Sequence, residues 1–162
     1  MGTWEDYKKT MVRKADLWSS AREGDLATLT LLIENGEAVN AVDHRGYSPL
    51  MLAAYSSQKQ ASALLLAHGA DVNSSDAAGN SILMGACFKG DLETVELLVA
   101  AGADLTHRNL GAQDAYEIAQ TFGRVAILDF LEKKGVQKKK SNRLLGFTKL
   151  LLSRFSGMFK LK

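Results

Sequence analysis

The 162-residue chain has one cysteine, one proline, three histidines and, over its last 27 residues, no acidic side chain. Each scarcity removes a class of explanation. With Cys87 alone no internal disulfide can form, and the fold does not depend on an oxidising compartment. His44, His68 and His107 are not spaced with cysteines or carboxylate pairs in the way metal ligands are, so solvent-facing histidines on a scaffold are expected. Cys87 stands beside Ala86 in a small-residue stretch, where it suits packing better than nucleophilic work, because apolar surroundings raise a thiol's pKa. Neither a G-x-x-x-x-G-K-[ST] nor a G-x-G-x-x-G phosphate loop occurs. No catalytic constellation remains, and the chain reads as a non-enzyme with no metal. The opening MGTWEDYKKTMVRK has no apolar secretory core, and Asp6 stands where a myristoylation site needs Ser or Thr. With 46% apolar residues to build a core, a cytoplasmic protein is the expectation.

What is present is a period. Gly36, Gly69 and Gly102 recur every 33 residues, as do Ser20, Ala53, Ala86 and Ala119, and Asp43 and Asp76 share a column with Asn109. A fixed spacing of this length marks stacked repeats. Apolar spacing gives each unit two helices. Pro49 opens a first helix at the position where its missing N–H costs nothing. The alanine column suits helix backbones that approach closely. Second helices are expected to carry the bulk of the core: Leu29, Leu32 and Ile33; Leu64, Leu65 and Leu66; Val95, Leu98 and Val99; Ile127, Leu128 and Leu131. Each ends at Gly36, Gly69, Gly102 or Gly135, which can take the left-handed conformation that stops a helix. Two departures stand out. Ala112 replaces the loop glycine seen as Gly46 and Gly79, which predicts a distorted last loop, and Ser57 replaces the inter-helix glycine seen as Gly24, Gly90 and Gly123.

Around the glycines the text reads NGEAVN, HGADVN and AGADLT, and Asp43, Gly46, Pro49 and Leu50 spell D-x-x-G-x-x-P-L. These residues resemble the ankyrin repeat. The resemblance covers residues 10–135 and implies an all-α solenoid of about four helix-turn-helix units, 10–42, 43–75, 76–108 and 109–135, within a domain spanning 1–135. TWEDYKKTMVRK reads as a polar helix capping the open end. Function in this family is partner binding on a concave face of loop tips and first helices. Carried onto this sequence, the contact positions are His44, Arg45, Tyr47, Tyr55 and Ser56, then Ala77, Ala78, Asn80, Phe88 and Lys89. Tyr47, Tyr55 and Phe88 are the natural anchors, since rigid aromatics bury area at low entropic cost. The alternative is that Tyr55 and Phe88 pack between helix pairs.

LMLAAY (50–55), GACFKGDLETVELLVAAGAD (85–104) and FGR (122–124) are also similar to bacterial ankyrin proteins encoded beside catalase genes. That resemblance implies a haem-binding or haem-delivery accessory role, with Tyr55 the candidate ligand through its phenolate oxygen. A further alternative is an inhibitor or immunity-type protein that blocks an enzyme's cleft with its loop tips.

Residues 1–135 carry 12 Lys plus Arg against all 18 Asp plus Glu, a net −6, while the last 27 carry the other 8 basic residues, a net +8. Along residues 136–162, Leu144, Phe147, Leu151, Phe155, Met158 and Phe159 share one helical face, opposite Lys149, Ser153, Ser156 and Lys160. This C-terminal amphipathic helix either lids the fourth repeat or lies on an anionic membrane. On a membrane, Lys138, Lys139, Lys140, Arg143 and Lys149 would meet headgroups and Phe147, Phe155 and Phe159 would enter the interface. Nucleic acid is excluded as the expected partner, because few basic residues lie outside the tail and the acidic core repels phosphate.

Overall fold

The computed structural model describes residues 16–136. The polar helix expected within residues 3–14 and the amphipathic tail from Lys138 to Phe159 lie outside them. Among the described residues there are eight helices: α1 (Leu17–Glu23), α2 (Leu26–Glu34), α3 (Pro49–Tyr55), α4 (Lys59–Ala67), α5 (Ile82–Lys89), α6 (Leu92–Ala100), α7 (Ala115–Thr121) and α8 (Val125–Lys133). Consecutive helices pack as pairs. The first helices α1, α3, α5 and α7 pack against one another in one row and the second helices in another, the all-α solenoid the period implies.

Helix starts follow from local chemistry. The Ser48 and Ser81 hydroxyls accept the Met51 and Met84 N–H groups at 3.2 and 3.3 Å, which satisfies a donor the first turn would leave bare. Pro49 follows Ser48 as the first helical residue. Asp114 and Glu117 form a reciprocal capping box at α7. Asp25 and Asp91 cap α2 and α6 through the N–H groups of Thr28 and Thr94. In the same column Gln58 and Arg124 make no such cap. Their side chains lie instead against Gly24 and Gly90 of the preceding unit, in space that a Cβ there would take.

The loops are stacked fingers. Asp43 Oδ1 accepts the Tyr47 N–H at 2.9 Å and Asp76 Oδ1 the Asn80 N–H at 2.8 Å. One backbone bond joins each finger to the next, Ala77 N–H to Arg45 O at 3.2 Å and Leu110 N–H to Ala78 O at 3.1 Å. Asn40 and Asn73 staple the bases: each donates to a glycine carbonyl of the next unit, Gly69 or Gly102, and accepts the N–H of Asp71 or Asp104.

The structure corrects three expectations. The last loop is not distorted, because Ala112 takes the left-handed conformation (φ 57°) in the glycine's place. Its N–H reaches Asn109 O at 2.8 Å, and Asn109 Oδ1 accepts the Gln113 N–H at 3.0 Å, as the aspartates do in the other fingers. Second, the core is shared between the two rows: of the second-helix residues expected in it, Leu29, Leu32, Leu65, Val95, Leu98, Ile127 and Leu131 are buried, but the rest are not. Ile33, Leu64, Leu66, Val99 and Leu128 are only half-buried, whereas every residue from Pro49 to Ala54 is buried. The first helices pack more closely on one another than the second helices do, which leaves one side of each second helix open. Third, His107 does not simply face solvent, since its Nε2–H donates to Gly79 O at 2.8 Å and ties two fingers together.

Gly36, Gly69, Gly102 and Gly135 are left-handed, with φ between 84° and 92°, as their position predicts. Ser57 (φ 58°) and Ala112 share that region without being glycine, at a cost of about 1–2 kcal/mol each. Replacing either with glycine relieves this strain but frees the unfolded chain by up to about 1 kcal/mol. Ser57→Gly and Ala112→Gly should each therefore raise unfolding free energy by about 0.5–1 kcal/mol, read as a higher urea midpoint. A lower midpoint would show that the two turns are not strained.

Candidate functional site

Between the row of first helices and the fingers runs a groove of about 590 Å³. Helix α1 contributes Arg22, and the first finger contributes Arg45 and Tyr47. Met51, Leu52, Tyr55 and Ser56 come from α3 and its end, and Met84, Gly85 and Phe88 from α5. The second finger adds Asp76, Asn80 and Ser81, and α7 adds Ile118.

Six of the ten positions expected at a contact face thus meet in one groove, Arg45, Tyr47, Tyr55, Ser56, Asn80 and Phe88, while Ala77 and Ala78 do not line it. Lys89 lies at its edge, its Nζ 5.5 Å from the Tyr55 ring centre, within cation–π range. His44 is exposed on the finger and does not line the groove. Asn80 is already occupied: its amide donates to Asp76 Oδ2 at 3.0 Å and its Oδ1 accepts from Asn109 at 2.8 Å. Tyr47 is half-buried, and its carbonyl accepts the Trp18 indole N–H at 2.9 Å.

Tyr55 and Phe88 do pack on each other, but not inside the core. Their rings are near parallel, 7° apart in plane and 5.8 Å between centres, and Tyr55 remains 45% exposed. Phe122 meets Phe88 edge-on at 4.6 Å and is also 45% exposed. An aromatic row therefore runs across the ends of α3, α5 and α7. The repeat column 55, 88, 121 ends in Thr121, so periodicity misses Phe122 by one position.

The row is fixed by a bond that sequence reasoning did not reach. The Arg124 Nε and Nη2 both donate to Phe88 O, at 3.2 and 2.8 Å. This fork satisfies a carbonyl at the C-terminus of α5 that has no intrahelical partner. Gly90, left-handed at φ 86°, lies directly under the guanidinium, with no Cβ to obstruct it. The FGR string thus places Phe122 beside Phe88 and Arg124 on its carbonyl.

The groove is lined mainly by aromatic and aliphatic side chains, with Arg22, Arg45, Asp76 and Asn80 among its polar groups. Cys87 is fully buried, and burial pushes its thiol up to about 12, so thiolate is scarce at neutral pH. Among the described residues no three His, Cys, Asp or Glu side chains gather as a metal site. Of the groups that hold an iron porphyrin, the lining offers the Tyr55 phenol at an open rim, the half-buried Tyr47, the buried Met51 and Met84 thioethers and no imidazole. No helix among the described residues is long and apolar enough to cross a membrane.

No curated protein matches the chain. The family model for ankyrin repeats (3 copies) matches residues 17–109, more than half of its length. Ankyrin repeats generally mediate protein–protein interaction and are typically non-enzymatic. The α7–α8 pair, outside most of that match, continues the same stack with the same finger geometry. By its helix pairs, its stapled fingers and this match, the chain belongs to the ankyrin-repeat family.

Proposed function

We propose that this protein is a non-enzymatic binding module whose protein partner seats in the groove beneath the fingers, on the anchors Tyr47, Tyr55 and Phe88. One observation supports the reading above the others. The Tyr55–Phe88–Phe122 row is held in place by the Arg124 fork, yet two of its three rings are 45% exposed. Ordered, half-exposed aromatics at the centre of a concave surface are where binding energy concentrates. Arg45 and Ser56 in the lining and His44 and Lys89 beside it supply polar rim contacts.

The double variant Tyr55→Ala/Phe88→Ala removes the anchors without touching residues that are fully buried. It should keep the wild-type circular dichroism spectrum. Partner recovered by affinity pull-down with wild type should bind the variant about tenfold or more weakly, a loss of about 1.4 kcal/mol. Equal binding by both forms would place the interface elsewhere.

A further inference from the structure

At Gly85 the groove floor loses the large aliphatic side chain that the neighbouring repeats place there. The column of Gly85 holds Leu52 in the preceding unit and Ile118 in the following one, both of which line the groove. Gly85 lies within α5 in ordinary helical conformation, where glycine costs about 1 kcal/mol relative to alanine. Among the described residues no contact requires it. A Cβ at this position would meet only Tyr55 Cδ2, at the ordinary packing distance of 3.7 Å. The missing side chain leaves a notch in the apolar floor between Leu52 and Ile118, beside the Tyr55 and Phe88 rings. Glycine in a regular element is often the mark of close approach by a ligand or another backbone.

The charge around the notch is equally uneven. Residues 16–136 hold sixteen Asp plus Glu and only eight Lys plus Arg, but Arg22 and Arg45 line this groove and Lys89 stands over Tyr55. The ion pairs among the described residues use Lys59 with Glu93 and Arg108 with Asp114 and Glu117, all outside the lining. The one acid in the lining, Asp76, is spent on its own finger, accepting from the Ala78 and Asn80 N–H groups and from the Asn80 amide. An acidic ligand therefore meets cations at the groove. Repulsion from carboxylates farther than about 8 Å away is largely screened at physiological salt.

Resting on the protein-binding reading of this groove, we propose that its occupant is an acidic segment of the partner. One apolar side chain of that segment fills the notch over Gly85, while its carboxylates pair with Arg22, Arg45 and Lys89. The notch supplies specificity for an aliphatic or aromatic residue, and the cations supply the sign.

A displayed library of random dodecapeptides, panned on the full chain, tests this without a known partner. The expected result is enrichment of net-negative peptides with a recurrent large apolar residue. Their affinity, read by fluorescence anisotropy, should fall about tenfold on Gly85→Leu, and likewise on Arg22→Gln/Arg45→Gln. It should stay within about twofold on Gly85→Ala, whose methyl only begins to fill the notch. Gly85→Leu improves helix propensity, so its thermal midpoint should equal or exceed that of wild type, which excludes misfolding as the cause. Enrichment of neutral or basic peptides, equal binding by Gly85→Leu, or no enrichment at all would overturn the inference. Peptides of any charge that still require Tyr55 and Phe88 would leave the binding-groove reading standing, whereas peptides that bind Tyr55→Ala/Phe88→Ala as tightly as wild type would remove both.

Discussion

Leu98→Ala is expected to lower the unfolding free energy by about 2–5 kcal/mol, the largest effect of any single truncation considered. Leu98 is fully buried on α6, as is Val95 on the same helix. That helix packs against its own partner α5 and against α4 and α8 of the adjoining units. Removing the isopropyl end of the side chain forfeits its transfer free energy and leaves a cavity that helices held on three sides cannot close. In a stacked array each unit is stabilised chiefly by its neighbours, so the loss weakens two interfaces at once. A domain of ordinary stability has only about 5–15 kcal/mol in hand. Chemical denaturation should show a midpoint displaced far below wild type. A displacement worth under about 1 kcal/mol would mean the outer row contributes little to the stack.

How far the sequence alone reached can be followed residue by residue. Asp43, Gly46 and Pro49 stood out as a motif because turn and helix-start chemistry is local, although the Ser48 cap within the same stretch went unread. The loop glycines and the alanine column were readable because the period puts them in register. Ala112 was misjudged for the opposite reason. The Asn109 side chain and the backbone bond from Leu110 to the preceding finger hold the last loop in shape, and a neighbouring unit can impose a conformation that local preference disfavours.

The groove was half legible. Tyr55 and Phe88 were found because their column lies just past the buried alanines, but neither Phe122 nor Arg124 follows the 33-residue spacing that exposed the others. The Arg124 contact with Phe88 O spans 36 residues, so it depends on how two units superpose rather than on either one's text. Gly85 was hidden in another way. A glycine amid GACFKG looks like helix-packing economy, and only the open space around its missing Cβ shows that nothing among the described residues needs it.

The alanine column gives the second large prediction, because two physical effects disagree there on sign. Ala86 is fully buried on α5, which is packed on one side against α3 and on the other against α7. By burial alone, Ala86→Leu should stabilise, since each added methylene removed from water contributes about 0.8 kcal/mol. By sterics it should destabilise, since Ala53 and Ala119 in the same column are also fully buried and leave no void for the extra carbons. Overpacking of this kind costs about 1–3 kcal/mol, and here both flanking helices must move. The steric effect should win, lowering the unfolding free energy by about 3 kcal/mol. Ala86→Gly gives a matched control, costing about 1 kcal/mol through helix propensity with no displacement of neighbours. Ala86 lies two residues before Phe88 on the same helix: moving α5 shifts Phe88 away from Tyr55 and Phe122, so the leucine variant should also lose partner binding while the glycine variant retains it. A leucine variant as stable as wild type would show that the first helices are spaced by something other than contact at this column.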